Sequence, residues 1–185
     1  MTERTAAIDA RDVQRLRSET GAGVMDCKRA LEESGGDFEK ARELLRQKGL
    51  AAAAKRAGRE ALQGVVESYI HAGGRIGALV ELSSETDFVA RNAEFRQLAR
   101  NIAMQVAAMS PLVVSEDELT REARAELLKD HGDEKKALEA AVLLKQPYIR
   151  DQSKTVGDLV TAIAASTGEN VRVRRFARFQ LGSEA

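Results

Sequence analysis

A chain of 185 residues with 43% hydrophobic side chains can build one domain, or a small one and a medium one, and with no Trp its core must be aliphatic. The 29 basic and 29 acidic side chains balance, so bulk attraction to nucleic acid or an anionic membrane is not indicated, while a local basic patch remains compatible with the count. A single cysteine, Cys27, excludes an internal disulfide framework; with no apolar leader after Met1 and nothing near the ~20 apolar residues of a membrane helix, the expectation is a soluble cytoplasmic protein.

Residues 9 to 49 read as three short helices. The first carries Val13 and Leu16, and Gly21 and Gly23 mark a turn. The second carries Val24, Cys27, Ala30 and Leu31. Asp37 is placed to N-cap the third, whose apolar face is Phe38, Ala41, Leu44 and Leu45, and Gly49 is expected to end it. Helices this short must pack on one another to persist. Residues 1–50 are therefore expected to form a three-helix module, with 51–61, rich in Ala, as a partly helical linker and 62–185 as an α+β core.

In that core, Leu62 to His71 reads as a strand, Ala72-Gly73-Gly74 as a hairpin turn, and Arg75 to Leu82 as a second strand with Ile76, Ala78, Val80 and Leu82 on one side. Apolar residues at 95, 98, 99, 102, 103 and 106 predict a helix from about Asn92 to Ser110. Ser115 and Glu118 form a capping box that predicts a helix through about Lys129, and another is expected from Glu134 to Lys145. A last helix starts at Thr155 and ends at Gly168. Asn170 to Gln180 is the third strand, with Val171, Val173, Ala177 and Phe179 expected on one face. The fold class is α+β: a helical bundle followed by a three-stranded antiparallel sheet with helices on one face.

Little here suggests catalysis. His71 precedes a Gly-Gly turn and His131 a helix-ending glycine, and neither has a second metal-binding residue at ligand spacing. No phosphate loop or nucleophile elbow is present, so no cofactor is expected. Cys27 in a helix interior reads as a small buried hydrophobe. Arg172, Arg174, Arg175 and Arg178 could form a basic strip for RNA, with Arg172, Arg174 and Arg178 on one strand face by alternation, but Phe176 is the one aromatic available for stacking; a solvated face with acidic neighbours is the simpler reading.

The stretch Ser84 to Asn92 is the most informative. A strand pattern stops before it and a strong helix starts after it, and the turn between carries Thr86, Asp87, Phe88 and Val89. A Phe on a connection is a candidate for insertion into a partner, worth roughly 1.5–3 kcal/mol when fully buried. The other reading tucks Phe88 under its own helices. Met25 is a similar case: Cys27 and Leu31 can share the core side, which turns Met25 elsewhere, and an adaptable apolar side chain near a surface suits contact with a partner.

The residues Ser84 to Asn92 resemble a signature of the bacterial elongation factor Ts family, exchange factors of elongation factor Tu. Leu16 to Leu31 is similar to that family's N-terminal signature, and Gly168 to Phe179 to its last strand; together they span nearly the whole chain in order. One departure is Ser83-Ser84, where the family often has Asn-Cys. Gly36 to Ala41 also resembles ubiquitin-associated domains, in agreement with the fold the family implies for the N-terminal module.

The resemblance implies a non-enzymatic guanine-nucleotide exchange factor, of the short bacterial form, that binds elongation factor Tu and promotes loss of Mg²⁺ and GDP. It implies that Thr86, Asp87, Phe88 and Val89 lie near the Mg²⁺ region of the GTPase, with Phe88 as a wedge and Asp87 reorganising the contact. It also implies that Val24, Met25, Asp26 and Lys28 hold the nucleotide-binding domain. Longer members resemble a core of two related halves. The spacing between Ser110 and Gln146 is too short for a second half, so a homodimer is expected, with Tyr69, Phe176 and the Val65 or Val66 face available to cover. Two rival functions are a ubiquitin-associated-like protein-binding module on an unrelated scaffold, and RNA binding through the C-terminal arginines.

Overall fold

The structure, a computed structural model, describes residues 8–183. It divides into two compact units, one reaching to Arg59 and including Thr161–Asn170, the other comprising Glu60–Val160 and the chain from Val171. The class is α+β, with a helical bundle at the N-terminal end and a three-stranded antiparallel sheet covered by helices beyond it.

The first unit holds α1 (Ala10–Thr20), α2 (Val24–Glu33) and α3 (Phe38–Arg56). Asp9 caps α1 through the Arg11 N–H, and Asp37 caps α3 by accepting from the Lys40 N–H at 3.1 Å. Gly21 ends α1 at φ 69, a left-handed geometry that favours glycine. Leu16, Cys27, Ala30, Leu31, Ala41 and Leu45 meet in a small core, with Ile8, Val13, Ala22 and Phe38 packed against it. The Arg15 guanidinium lies 4.3 Å from the Phe38 ring centroid. Gly49 does not end α3, which runs on through the Ala-rich stretch to Arg56. A Cβ at Gly49 would lie 3.4 Å from the Thr161 Cγ2, so the small residue serves packing and not termination.

In the second unit, β1 (Gln63–Ile70), β2 (Ile76–Ser84) and β5 (Arg172–Gln180) form a sheet in the order β1-β2-β5. Helix α5 (Ala93–Met109) buries Phe95, Leu98, Ile102 and Val106. On the inner face of the sheet, Ala78, Val80 and Leu82 of β2 are buried. Glu67 of β1 is held by Arg96 and Arg100 of α5 at 3.4 and 3.3 Å. Beyond α5 come α6 (Arg121–His131), α7 (Glu134–Ala141), a small hairpin of β3 (Pro147–Tyr148) and β4 (Asp151–Thr155), and the start of α8 (Val156–Thr167), which from Thr161 on belongs to the first unit.

Several expectations need correction. The Ser115/Glu118 capping box is present but opens only a 3₁₀ turn at Glu116–Glu118, and α6 has its own cap at Thr120. Helix α7 stops at Ala141, before a separate 3₁₀ turn at Leu143–Lys145. The β3–β4 hairpin was not foreseen. The largest departure is in β5. Val173 faces Leu82 but Arg175 faces Glu81, so Arg174 is an extra residue, a β-bulge. Past it the faces exchange. Phe176 and Arg178 pair with the inward Val80 and Ala78, whereas Ala177 and Phe179 lie on the outer face. Arg172, Arg174 and Arg178 therefore do not share a face.

Candidate functional site: an exposed phenylalanine turn and an apolar patch on the second helix

The turn after β2 is a single-turn helix, α4 (Asp87–Ala90). Thr86 caps it, its Oγ1 accepting from the Val89 N–H at 3.4 Å. Asp87 pairs with Arg91 one turn on at 2.8 Å. Val89 and Ala90 are buried, which fixes the rotation of the turn and sends Phe88 outward at 82% exposure. The reading that tucks Phe88 under its own helices is thus excluded. Asn92 then caps α5 through the Glu94 N–H at 2.7 Å, so the turn is bounded by a strand on one side and a capped helix on the other.

Asp87, Phe88 and Val89 are together on α4 with Thr86 as its cap, in the second unit. Val24, Met25, Asp26 and Lys28 are together at the start of α2, in the first unit. Cys27 and Leu31 turn into the bundle core, which leaves Val24 and Met25 on the surface, Met25 at 63% exposure. Asp26 is ion-paired with Arg29, and Lys28 with Glu32 at 3.8 Å. Each patch has an apolar centre and a charged rim, an arrangement suited to contact with another macromolecule.

The other residues singled out in the sequence lie apart from these two patches. Cys27 is buried, and burial pushes its thiol pKa up, away from the nucleophilic thiolate. His71 shares a hydrogen bond with the Tyr69 hydroxyl at 3.1 Å on the exposed hairpin, and His131 lies in the last turn of α6. Among the described residues, no three His, Cys, Asp or Glu side chains are grouped to hold a metal ion. Arg174 and Arg175 both reach Glu81, at 3.5 and 2.6 Å, and the Arg178 Nε donates to the Ala107 carbonyl at 3.1 Å. Sequence reasoning missed Ser84, the fully buried last residue of β2, whose Oγ donates to the Thr86 carbonyl at 3.0 Å.

The fold is an α+β one that carries two exposed apolar protrusions with charged surrounds. A family model described as elongation factor TS matches residues 51–131. The chain is also similar over nearly its whole length to proteins named elongation factor Ts. That of Desulforamulus reducens is 52% identical, over 96% of this chain and 90% of that protein. The one from Carboxydothermus hydrogenoformans is 50% identical, over 95% and 89%. The one from Syntrophobacter fumaroxidans is 48% identical, over 97% and 100%. The chain belongs to the elongation factor Ts family.

Proposed function

We propose that this protein binds GDP-loaded elongation factor Tu and acts as its guanine-nucleotide exchange factor, promoting loss of Mg²⁺ and GDP. The observation that carries the proposal is Phe88, held outward on a turn whose next two residues are buried. No covalent step is required of such a factor. It must bind the nucleotide-free GTPase better than the GDP-bound form, and the coupling is reciprocal, so GDP and Mg²⁺ weaken its hold by the same factor. Inverting a 99:1 preference takes about 5.5 kcal/mol of differential binding. Burial of one Phe supplies part of this, roughly 1.5–3 kcal/mol. A second contact is needed, and Val24, Met25, Asp26 and Lys28 on α2 provide it. In this division, Thr86, Asp87, Phe88 and Val89 disturb the Mg²⁺ region while α2 docks the nucleotide-binding domain.

The protein works as a homodimer in the cytoplasm. Val66, Ile70, Leu79 and Phe179 are exposed on the outer face of the sheet, and a symmetric pairing of two such faces would cover them. Of the residues expected from sequence to be covered, Val66 is on this face, whereas Tyr69, Val65 and Phe176 lie on the inner side. No helix among the described residues is long and apolar enough to cross a membrane. Direct RNA binding is disfavoured by Glu81, which engages two of the C-terminal arginines.

Stopped-flow release of fluorescent GDP from elongation factor Tu, with this protein in increasing concentration, tests the proposal. Phe88→Ala is expected to lower the maximal rate more than it changes the half-saturating concentration. Met25→Asp is expected to do the reverse. Release that the native protein fails to accelerate would overturn the exchange role.

A further inference from the structure

We propose that Ser84 is a positioning residue for nucleotide exchange, aiming Phe88 through the Thr86 carbonyl; the proposal rests on the exchange reading above. Helix α4 has four residues and cannot hold an orientation by itself, since a single turn is unstable in isolation. Its aim must come from its two ends. At the C-terminal end, Val89 and Ala90 are buried. At the N-terminal end, Thr86 is exposed, and its carbonyl receives two hydrogen bonds: the Ala90 N–H at 3.3 Å, which closes the turn, and the Ser84 hydroxyl at 3.0 Å, which ties the turn to β2.

Ser84 has 0% exposure, so it cannot touch a partner and can act only through Thr86. It is itself fixed as the last residue of β2, paired with Gln63 across the sheet. Phe88 thus projects from a turn clamped on both sides. A clamped wedge meets its target already ordered, whereas a swinging one must be ordered at the moment of binding. A cysteine placed at this position would keep a donor of similar size, although a thiol donates more weakly than a hydroxyl.

The test measures GDP release from elongation factor Tu against concentration of the full-length protein, for native, Ser84→Ala and Ser84→Cys. Ser84→Ala is expected to lower the maximal rate about two- to tenfold, the factor that corresponds to one lost net hydrogen bond, with the half-saturating concentration little changed. Ser84→Cys is expected to recover most of that rate. Hydrogen exchange on the free protein supplies an arm that does not involve the GTPase. The Ala90 amide is expected to exchange faster in Ser84→Ala while amides in the middle of α5 keep their native protection. Native kinetics in Ser84→Ala, or rate losses that follow thermal stability across both variants, would overturn the positioning role. Should the native protein leave GDP release unaccelerated, the exchange reading fails, and the Ala90 amide still decides whether Ser84 holds the turn.

Discussion

Gln105 of α5 and Gln146, which precedes β3, meet side chain to side chain in a fully buried position, the Gln105 Nε2 donating to the Gln146 Oε1 at 3.1 Å. Each amide serves more than one group. Gln105 also donates to the Pro147 carbonyl and accepts from the Ile149 N–H, while Gln146 donates to the Ala140 carbonyl. The pair stitches α5 to the irregular chain around the β3–β4 hairpin, where backbone groups have few regular partners.

Because each amide serves several groups, removing one strands the others. Gln146→Leu is expected to cost about 1–3 kcal/mol, the penalty for leaving a buried polar group unpaired. Gln105→Leu should cost more, since it orphans two backbone groups as well as Gln146. Urea unfolding of the two variants checks the order, and a Gln105→Leu protein as stable as native would contradict it.

Gly64→Ala is expected to disrupt the sheet where it supports the turn that carries Phe88. Gly64 sits at φ 147 opposite Ser83, and an added Cβ would fall 2.2 Å from the Leu82 carbonyl oxygen. Backbone strain of this type costs about 1–3 kcal/mol before the clash is counted. The thermal midpoint should fall, and the exchange rate should fall with it because the strand end carrying Ser84 shifts. A native midpoint would show that β1 accommodates the methyl.

Acid should weaken the helical unit. Hydrogen bonds from Arg46, and then Gln47, hold the Glu43 carboxyl down from its ordinary 4.5 to about 2. The Lys40 N–H lowers Asp37 in the same direction at the start of α3. A carboxyl whose folded pKa is depressed stabilises the fold above its unfolded pKa, and that contribution is lost as pH falls through the folded value. Between pH 4.5 and 2 the helical signal of the full chain should therefore melt at progressively lower temperature, and Glu43→Gln should flatten part of that slope. Equal slopes for the two proteins would remove Glu43 from the explanation. The pair is exposed, so added salt should shrink the difference.

Sedimentation equilibrium at micromolar concentration examines the pairing of two copies. The expected mass is near twice the 20.1 kDa of one chain. Phe179→Glu, a charge placed at a residue with 68% exposure on the outer sheet face, should return it to the monomer. A native protein that stays at the single-chain mass throughout would refute the dimer.

The sequence was most readable where a pattern and its punctuation agree. Asp37 before an apolar face marked α3, and the alternation from Ile76 to Leu82 marked β2. Reading failed where a residue had a second use. Gly49 resembles a stop signal but is an interior glycine packed close to Thr161, at a propensity cost of about 1 kcal/mol. Arg174 could not be recognised as a bulge, because an inserted residue leaves the letters unchanged and is defined only by the partner strand. Within the site, Phe88 and Met25 stood out by type and spacing. Ser84 did not, because a serine at a strand end carries no signal until the turn beyond it folds back over its hydroxyl.

The bulge also governs which changes of length β5 can absorb. Arg174 is surplus to the pairing, so a deletion of that one residue leaves Val173, Phe176 and Arg178 opposite Leu82, Val80 and Ala78 as before. Deleting Ala177 has the opposite result: Arg178 would turn outward and Phe179 inward, exchanging surface for core over the end of the strand. Two neighbouring single-codon losses, three positions apart, thus differ from near silence to inversion of a sheet face.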